Sequence, residues 1–298
     1  MHEGKLLVLG AGTMGAQIAQ QAALHGVEVA LVDVDAAQLQ RAVESNRGHL
    51  QRRVERGRLD AGEAESSLAR VRTGTDVAAA APGCTWAIEA IVEDASAKRR
   101  AFALLDRHLE PEAGIASNSS NIVISRLADA TNRADRCCNM HFFHPVLVMD
   151  LCEVVRGPQT SDETMRRAVA WCRRMGRTPV VIEREIDGFV VNRILGAYSR
   201  EAFLLLTEGV ASVADIDTAA RAGLNWPLGP FQLADLSGID TVLNVRRDRM
   251  LREHQAGDTA TVAVLERMVA AGRLGRKSGR GFYDYSSNPP APLPLPEP

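Results

Sequence analysis

With 298 residues, 46% apolar and 24% charged, the chain is longer than one ordinary core organises and has the composition of a soluble globular protein of two domains. A net charge of −2 gives no general electrostatic reason to bind nucleic acid or an anionic membrane, and no run approaches the ~20 apolar residues that span a bilayer. Five cysteines (Cys84, Cys137, Cys138, Cys152, Cys172) without a CxxC pair argue against a disulfide framework or a zinc site and for reduced thiols, so the expected location is the cytoplasm.

The first apolar run, Lys5–Leu9, begins almost at once and leaves no room for a signal or transit peptide. Glycines follow, then a stretch whose alanines and Ile18 recur at helical spacing, with Gly26 where a helix-ending glycine belongs. A second strand-like run, 27–32, ends in Asp33. Residues 36–70 read as a polar helical hairpin, broken near Arg58-Leu59-Asp60-Ala61-Gly62 and inserted into the α/β pattern. Further strand-like runs lie at 86–92, 115–117, 137–143 and 180–182. The last follows a helix with an acidic first turn (Asp162, Glu163) and a basic last turn (Arg173, Arg174), the order that complements the helix dipole.

Short strands alternating with helices predict a mostly parallel, doubly wound α/β sheet of Rossmann type. After Asp187-Gly188 the texture changes: Ile194, Leu195, Tyr198, Ala202, Leu205 and Leu206 recur at helical spacing, with no convincing strand beyond. We expect a nucleotide-binding domain over 1–185 and an all-helical domain over 186–285. Six prolines among the last ten residues predict that 286–298 is an extended, mobile tail.

Gly10-Ala11-Gly12-Thr13-Met14-Gly15 matches GxGxxG, a weak motif alone. Here it follows one strand, opens a helix, and precedes a second strand ending in an acid. The glycines serve a tight turn, close approach to a pyrophosphate, and close packing of helix on strand, while the helix N-terminus faces the phosphates. Asp33 lies 18 residues beyond Gly15, the place of the carboxylate that accepts hydrogen bonds from the adenosine ribose. No arginine follows within residues 34–37 to meet a 2′-phosphate, so the expected cofactor is NAD rather than NADP.

Oxidising a secondary alcohol with NAD needs a base whose pKa lies near working pH, and histidine is the natural one. Of seven histidines, His2, His25, His49, His108 and His254 stand in ordinary surface-like contexts. His141 and His144 close a strand-like run in His141-Phe142-Phe143-His144-Pro145, at the strand end where open α/β sheets bind ligands. Glu153 lies in another apolar run, where an unpaired carboxylate is costly to bury. On the residues alone, His141 and Glu153 read equally as a catalytic pair or as a structural ion pair.

These stretches, together with Glu89-Ala90-Ile91-Val92-Glu93, Ser117-Asn118-Ser119-Ser120, Gly188-Phe189-Val190-Val191-Asn192-Arg193, Pro227-Leu228-Gly229-Pro230-Phe231 and Lys277-Ser278-Gly279-Arg280-Gly281-Phe282-Tyr283, resemble the L-3-hydroxyacyl-CoA dehydrogenase family in order and spacing over nearly the whole chain. The resemblance implies reversible, NAD-dependent oxidation of an (S)-3-hydroxyacyl-CoA. It makes His141 the general base and Glu153 its partner. Ser120 and Asn192 hold the substrate oxygen, and Glu93, Lys98, Ser120 and Lys277 contact NAD or border its pocket. Singly, Ser120 also reads as a helix cap, Asn192 as a solvent-facing amide and Lys277 as a surface charge.

His144 departs from the family, which usually has Asn there, near the nicotinamide end of the cofactor. A neutral histidine still donates one hydrogen bond, whereas a charged one sits badly beside oxidised nicotinamide, so we expect activity to require neutral His144. Arg52, Arg53 and Arg56 are candidates for the CoA phosphates and read equally as a solvated helix face. The resemblance also implies a homodimer formed through the helical domain. Two other readings remain at this point: a dehydrogenase of free hydroxy acids (gulonate- or carnitine-like) or carrier-bound acyl groups, and a non-catalytic NAD-binding protein.

Overall fold

The computed structural model describes residues 4–253 and 259–297; His2 and His254 lie outside them. Two compact units meet at Val190/Val191. The first carries an eight-stranded sheet: β1 (Lys5–Leu9), β2 (Val29–Val32), β3 (Val71–Gly74), β4 (Cys84–Glu89), β5 (Gly114–Ser117), β6 (Cys137–Phe142), β7 (Leu151–Val155) and β8 (Thr178–Ile182). Their order is β3-β2-β1-β4-β5-β6-β7-β8, and every neighbouring pair is parallel except β6–β7. Helices α1 (Thr13–Leu24), α2 (Ala36–Glu55), α3 (Ala61–Ala69), α4 (Val77–Ala80), α5 (Ala95–His108) and α6 (Asp162–Arg174) complete the unit.

Sheet and helices agree because both sheet faces are buried, as a parallel sheet requires. Along β1, Leu6 and Val8 join a cluster with Ile18, Ala22 and Trp171 of α1 and α6. Leu7 and Leu9 join another with Phe102 and Leu105 of α5. Strand order reverses between β1 and β4, so a crevice opens at their carboxyl ends.

The expected helical hairpin is α2 and α3. Asp35 and Asp60 cap their first turns, the former accepting from Ala37 N–H (2.8 Å) and the latter from Gly62 and Glu63 (2.8 and 3.1 Å). Asn46 fastens the hairpin to α1 by donating to the Ala16 carbonyl at 2.8 Å. The first unit runs five residues past the boundary at 185: Phe189 is buried with Val123, Val155 and Ile182, and the Val190 N–H donates to Glu153.

The second unit comprises α7 (Val191–Thr207), α8 (Val213–Leu224), α9 (Pro230–Ser237), α10 (Ile239–Glu253) and α11 (Thr259–Ala270), with a ribbon of β9 (Tyr283–Asp284) and β10 (Ala291–Pro292). Phe203, Phe231 and Phe282 stack at its centre, with ring centroids 4.9–5.7 Å apart. Two buried carboxylates gather its loops: Asp217 accepts from Phe231 and Gln232 N–H and the Tyr283 hydroxyl, Asp235 from Phe282 and Tyr283 N–H and the Tyr285 hydroxyl.

The proline-rich tail is extended as its composition suggests, yet it is docked instead of free. β10 pairs with β9, Leu293 N–H donates to the Phe282 carbonyl (2.8 Å), Arg273 donates to Pro294, and Leu295 packs on the core of the second unit. Proline bars helix but not an edge pairing in which its missing N–H is unused. Among the described residues no helix is long and apolar enough to cross a membrane.

Candidate active site

The three motif glycines answer to different demands. Gly10 has φ +105°, and a Cβ there would lie 2.6 Å from the Ala90 carbonyl at the end of β4; one on Gly15 would lie 1.9 Å from the Gly10 carbonyl. Both are needed by the fold. Gly12 has φ −65°, and nothing lies within 4 Å of its Cβ position. Its want of a side chain serves nothing in the protein, which fits a pyrophosphate laid against the first turn of α1.

Asp33 bounds the same crevice. Its carboxylate accepts Ala11 N–H (2.7 Å) and Asp35 N–H (3.0 Å), one on each oxygen. Each oxygen keeps a lone pair for a ribose hydroxyl. The first arginine of the following helix, Arg41, is turned onto Asp35 and Gln38. The residues present therefore fit a dinucleotide without a 2′-phosphate.

Beyond β4, Lys98 is a buried cation rather than an exposed contact. Its ammonium lies 2.6 Å from Glu89 and 3.2 Å from Glu93, at 1% exposure. Glu89 also accepts from the Ser117 hydroxyl (2.7 Å) and Ile91 N–H (2.8 Å). Burial pushes the Glu93 carboxyl up, but hydrogen bonds from Ser119, Lys98 and Asn121 outweigh it and hold the group below the usual glutamate range.

The antiparallel register of β6 and β7 sets His141 directly opposite Glu153. The His141 Nδ1 is 2.8 Å from the Glu153 Oε2, and both side chains are essentially buried. The other Glu153 oxygen accepts Val190 N–H at 3.0 Å. A left-handed pair, Gly188 (φ +76°) and Phe189 (φ +46°), turns the chain to deliver that amide. A non-glycine residue in this region is strained, and Phe189 is held there by full burial with its ring 5.5 Å from the imidazole. On the opposite side, the His141 Nε2 meets the Ser120 hydroxyl at 2.9 Å. The acceptor-only carboxylate makes Nδ1 the proton-bearing nitrogen, leaving the Nε2 lone pair toward Ser120.

The remaining candidates fall as follows. His144 is exposed just past β6 and followed by a cis bond to Pro145. Arg52 and Arg53 lie in the last turn of α2 and Arg56 is its C-cap. Arg52 Nη2 is 2.9 Å from His49 Nδ1. Partial burial, Arg52 and His144 together hold the His49 imidazole below its usual pKa, so hairpin and His144 share one electrostatic neighbourhood. Arg53 faces a cavity of about 320 Å³ with Arg177 and Leu147. Asn192 and Lys277 belong to the second unit: Asn192 is half-buried in the first turn of α7, and Lys277 pairs with Asp240 at 2.5 Å. All five cysteines are buried and free of disulfides, and burial pushes the Cys84 and Cys137 thiols up to about 11 and about 12, so neither of these two is a thiolate at neutral pH.

Two family models match in chain order: 3-hydroxyacyl-CoA dehydrogenase, NAD binding domain, over residues 5–186, and 3-hydroxyacyl-CoA dehydrogenase, C-terminal domain, over residues 188–285. The chain belongs to the 3-hydroxyacyl-CoA dehydrogenase family. Like that family it is an NAD-dependent oxidoreductase. A probable 3-hydroxybutyryl-CoA dehydrogenase of Bacillus subtilis is 38% identical over 287 residues, covering 96% of this chain and 98% of that one. The human mitochondrial hydroxyacyl-coenzyme A dehydrogenase is 37% identical over 288 residues, covering 93% and 90%. An (S)-3-hydroxybutyryl-CoA dehydrogenase from Ralstonia eutropha has the same fold at a TM-score of 0.85 and 39% identity, covering 95% of this chain and 99% of that one.

Reasoning from sequence missed Glu89, Asn118, Ser119 and the Gly188-Phe189 turn as parts of this dehydrogenase site. Their signal lay in the family-like stretches around them, among them the polar run Ser117-Asn118-Ser119-Ser120, where the Asn118 side-chain amide oxygen accepts the N–H of Phe142, next to His141.

Proposed function

We propose that the protein interconverts an (S)-3-hydroxyacyl-CoA and the 3-ketoacyl-CoA, with His141 as general base and Glu153 as its partner. The observation that carries this reading is the Ser120–His141–Glu153 line, with one imidazole nitrogen tied to a buried carboxylate and the other at a serine hydroxyl. The Gly10–Gly15 loop and Asp33 would hold NAD, which would supply the acceptor for the hydride of the carbinol carbon. His141 Nε2 takes the hydroxyl proton as the C–H bonding pair leaves, and Glu153 offsets the charge that appears on the ring. In the reverse direction the same nitrogen returns the proton. Ser120 donates to the substrate oxygen in either oxidation state, and Asn192 joins it in this role on the strength of its motif.

The names of the relatives support the thioester substrate, and the grouping of Arg52 and His49 near His144 supports the hairpin as the place where CoA phosphates are met. Lys277, Glu93 and Lys98 are assigned to the NAD side. The family resemblance of the second unit supports a homodimer, which light scattering after size exclusion tests. Reduced, buried cysteines support a cytoplasmic location.

The deciding assay is NADH oxidation by acetoacetyl-CoA, with acetoacetate as control and His141→Gln alongside. Thioester-dependent turnover that falls at least a hundredfold in the variant is the expected result. Turnover with acetoacetate alone, or undiminished turnover in the variant, overturns the reading.

A further inference from the structure

Ser120 touches His141, yet nothing in Ser120 itself fixes where its hydroxyl points. The turn that carries it is anchored one residue earlier. Ser119, 3% exposed, donates to Glu93 Oε1 at 2.5 Å and accepts Ile122 N–H at 2.7 Å and Asn121 N–H at 3.3 Å. Asn121 N–H also reaches the same Glu93 oxygen, at 3.1 Å. Two residues following Ser120 are thus bound to the one before it, and Ser119 and Asn121 are both bound to Glu93.

Glu93 is no loose anchor. Its second oxygen lies 3.2 Å from the Lys98 ammonium, which is itself pinned by the fully buried Glu89. From the other side Asn118, preceding Ser119, holds the Phe142 N–H at 2.9 Å, one residue past His141. The Ser120 turn is therefore tied at one end to the strand bearing the histidine and at the other, through Glu93, to the buried Lys98–Glu89 pair. A methylene of slack in either tie exceeds the few tenths of an ångström that separate a hydrogen bond from none.

We propose that Ser119 is a positioning residue for the dehydrogenase reaction: through Glu93 it sets the Ser120 hydroxyl on His141 Nε2, touching neither substrate nor cofactor. The inference rests on the proposed role of Ser120 and His141. Its chemistry is a hydroxyl that donates once and accepts twice, so threonine can replace it and valine, of the same shape, cannot.

The test compares Ser119→Thr, Ser119→Val and Ser119→Ala in the full chain, alone and combined with Ser120→Ala. With acetoacetyl-CoA and NADH, kcat is expected to fall at least tenfold in the valine and alanine variants and to recover within threefold in the threonine variant, while the NADH dissociation constant stays within twofold. In the Ser120→Ala background, Ser119→Ala is expected to cost nothing further, because its effect passes through the missing hydroxyl. A second readout needs no turnover: the ¹⁵N shift of His141 Nε2 is expected to move in Ser119→Ala to the value it takes in Ser120→Ala.

A valine variant as active as the threonine one, additive losses in the double variant, or an unmoved Nε2 resonance each overturns the proposal. Collapse of His141→Gln with an unaffected Ser119→Val sinks this inference alone. A fully active His141→Gln sinks the reading beneath it, and the nitrogen shift still decides whether Ser119 places Ser120.

Discussion

Replacing Gly12 with alanine separates what the glycine loop does for the fold from what it does for the cofactor. The new methyl meets nothing within 4 Å and the backbone, at φ −65°, already suits an L residue. Stability has two small opposed contributions. Alanine is a poorer helix N-cap than glycine by up to about 1 kcal/mol, and it removes about 0.4–1 kcal/mol of unfolded-chain entropy. The net change is therefore within about 1 kcal/mol, or roughly 2–4 °C in the melting midpoint of a unit this size. Gly15→Ala is the control: its Cβ would sit 1.9 Å from the Gly10 carbonyl, so strand and helix must part, at about 1–3 kcal/mol or more. For cofactor the order reverses in meaning. The Gly12 methyl occupies the space against which a pyrophosphate packs, and we expect NADH affinity to fall at least tenfold, about 1.4 kcal/mol. Thermal melts without cofactor, paired with NADH fluorescence titrations, read both quantities. A Gly12→Ala protein that melts as low as Gly15→Ala, or binds NADH like its parent, refutes the assignment of that open space to the dinucleotide.

Glu153→Gln keeps shape and burial but sets an amide against the imidazole, favouring the tautomer whose proton is on Nε2; kcat should fall about 10²–10⁴-fold with NADH binding intact, and a loss under threefold would count against the base assignment. The Glu93 carboxyl is held low in the folded protein, so its network contributes stability that is complete above the ordinary glutamate range and lost as pH falls through the lowered value. Glu93→Gln should flatten the acid limb of the melting-temperature profile below about pH 5, and an unchanged limb would show that the ties do not depend on its charge. If neutral His144 is required beside NAD⁺, His144→Asn should change the pH–rate profile of hydroxyacyl-CoA oxidation, whereas an unaltered profile would dismiss that requirement.

What could be read from the chain alone were features whose signal is local. Gly10 to Gly15, the acid ending β2, each helix of the hairpin 36–70 and the charge-ordered helix α6 announce themselves within a window of about twenty residues. β3 did not: Val71-Arg72-Thr73-Gly74 lies at the sheet edge with two exposed side chains, so no apolar pattern marks it. The docked tail was illegible for another reason, since prolines that forbid a helix say nothing of a two-residue pairing with Tyr283 and Asp284. Lys98 is the sharpest case. A lysine in a helix's first turn reads as a surface or ligand contact, and only the fold shows its ammonium enclosed between Glu89 and Glu93. Partners 5 and 9 residues away in number are adjacent here because strand, loop and helix turn back on one another at the end of β4.

The proposed catalytic pair shows the same limit from the opposite side, because its spacing is short yet its register is invisible. His141 and Glu153 are separated by a loop of eight residues, 143–150, between β6 and β7. In a sheet that stayed parallel, the next strand would need a crossover of a dozen residues or more, and a residue early in it would lie at the far edge of the sheet from the end of β6. The single antiparallel step reverses this. β7 starts at the edge where β6 finishes, so its third residue faces the fifth of β6. A slip of one residue would turn Glu153 to the opposite face and leave a carboxylate without its imidazole in the core. Hydrogen bonds from Val190 N–H to Glu153 and from Phe142 N–H to the Asn118 side-chain oxygen grip the two strands on either side of the pair. The register that pairs His141 with Glu153 is thus enforced from neighbouring elements, and the departure from the parallel pattern is what brings the carboxylate of one apolar run opposite the histidine at the end of another.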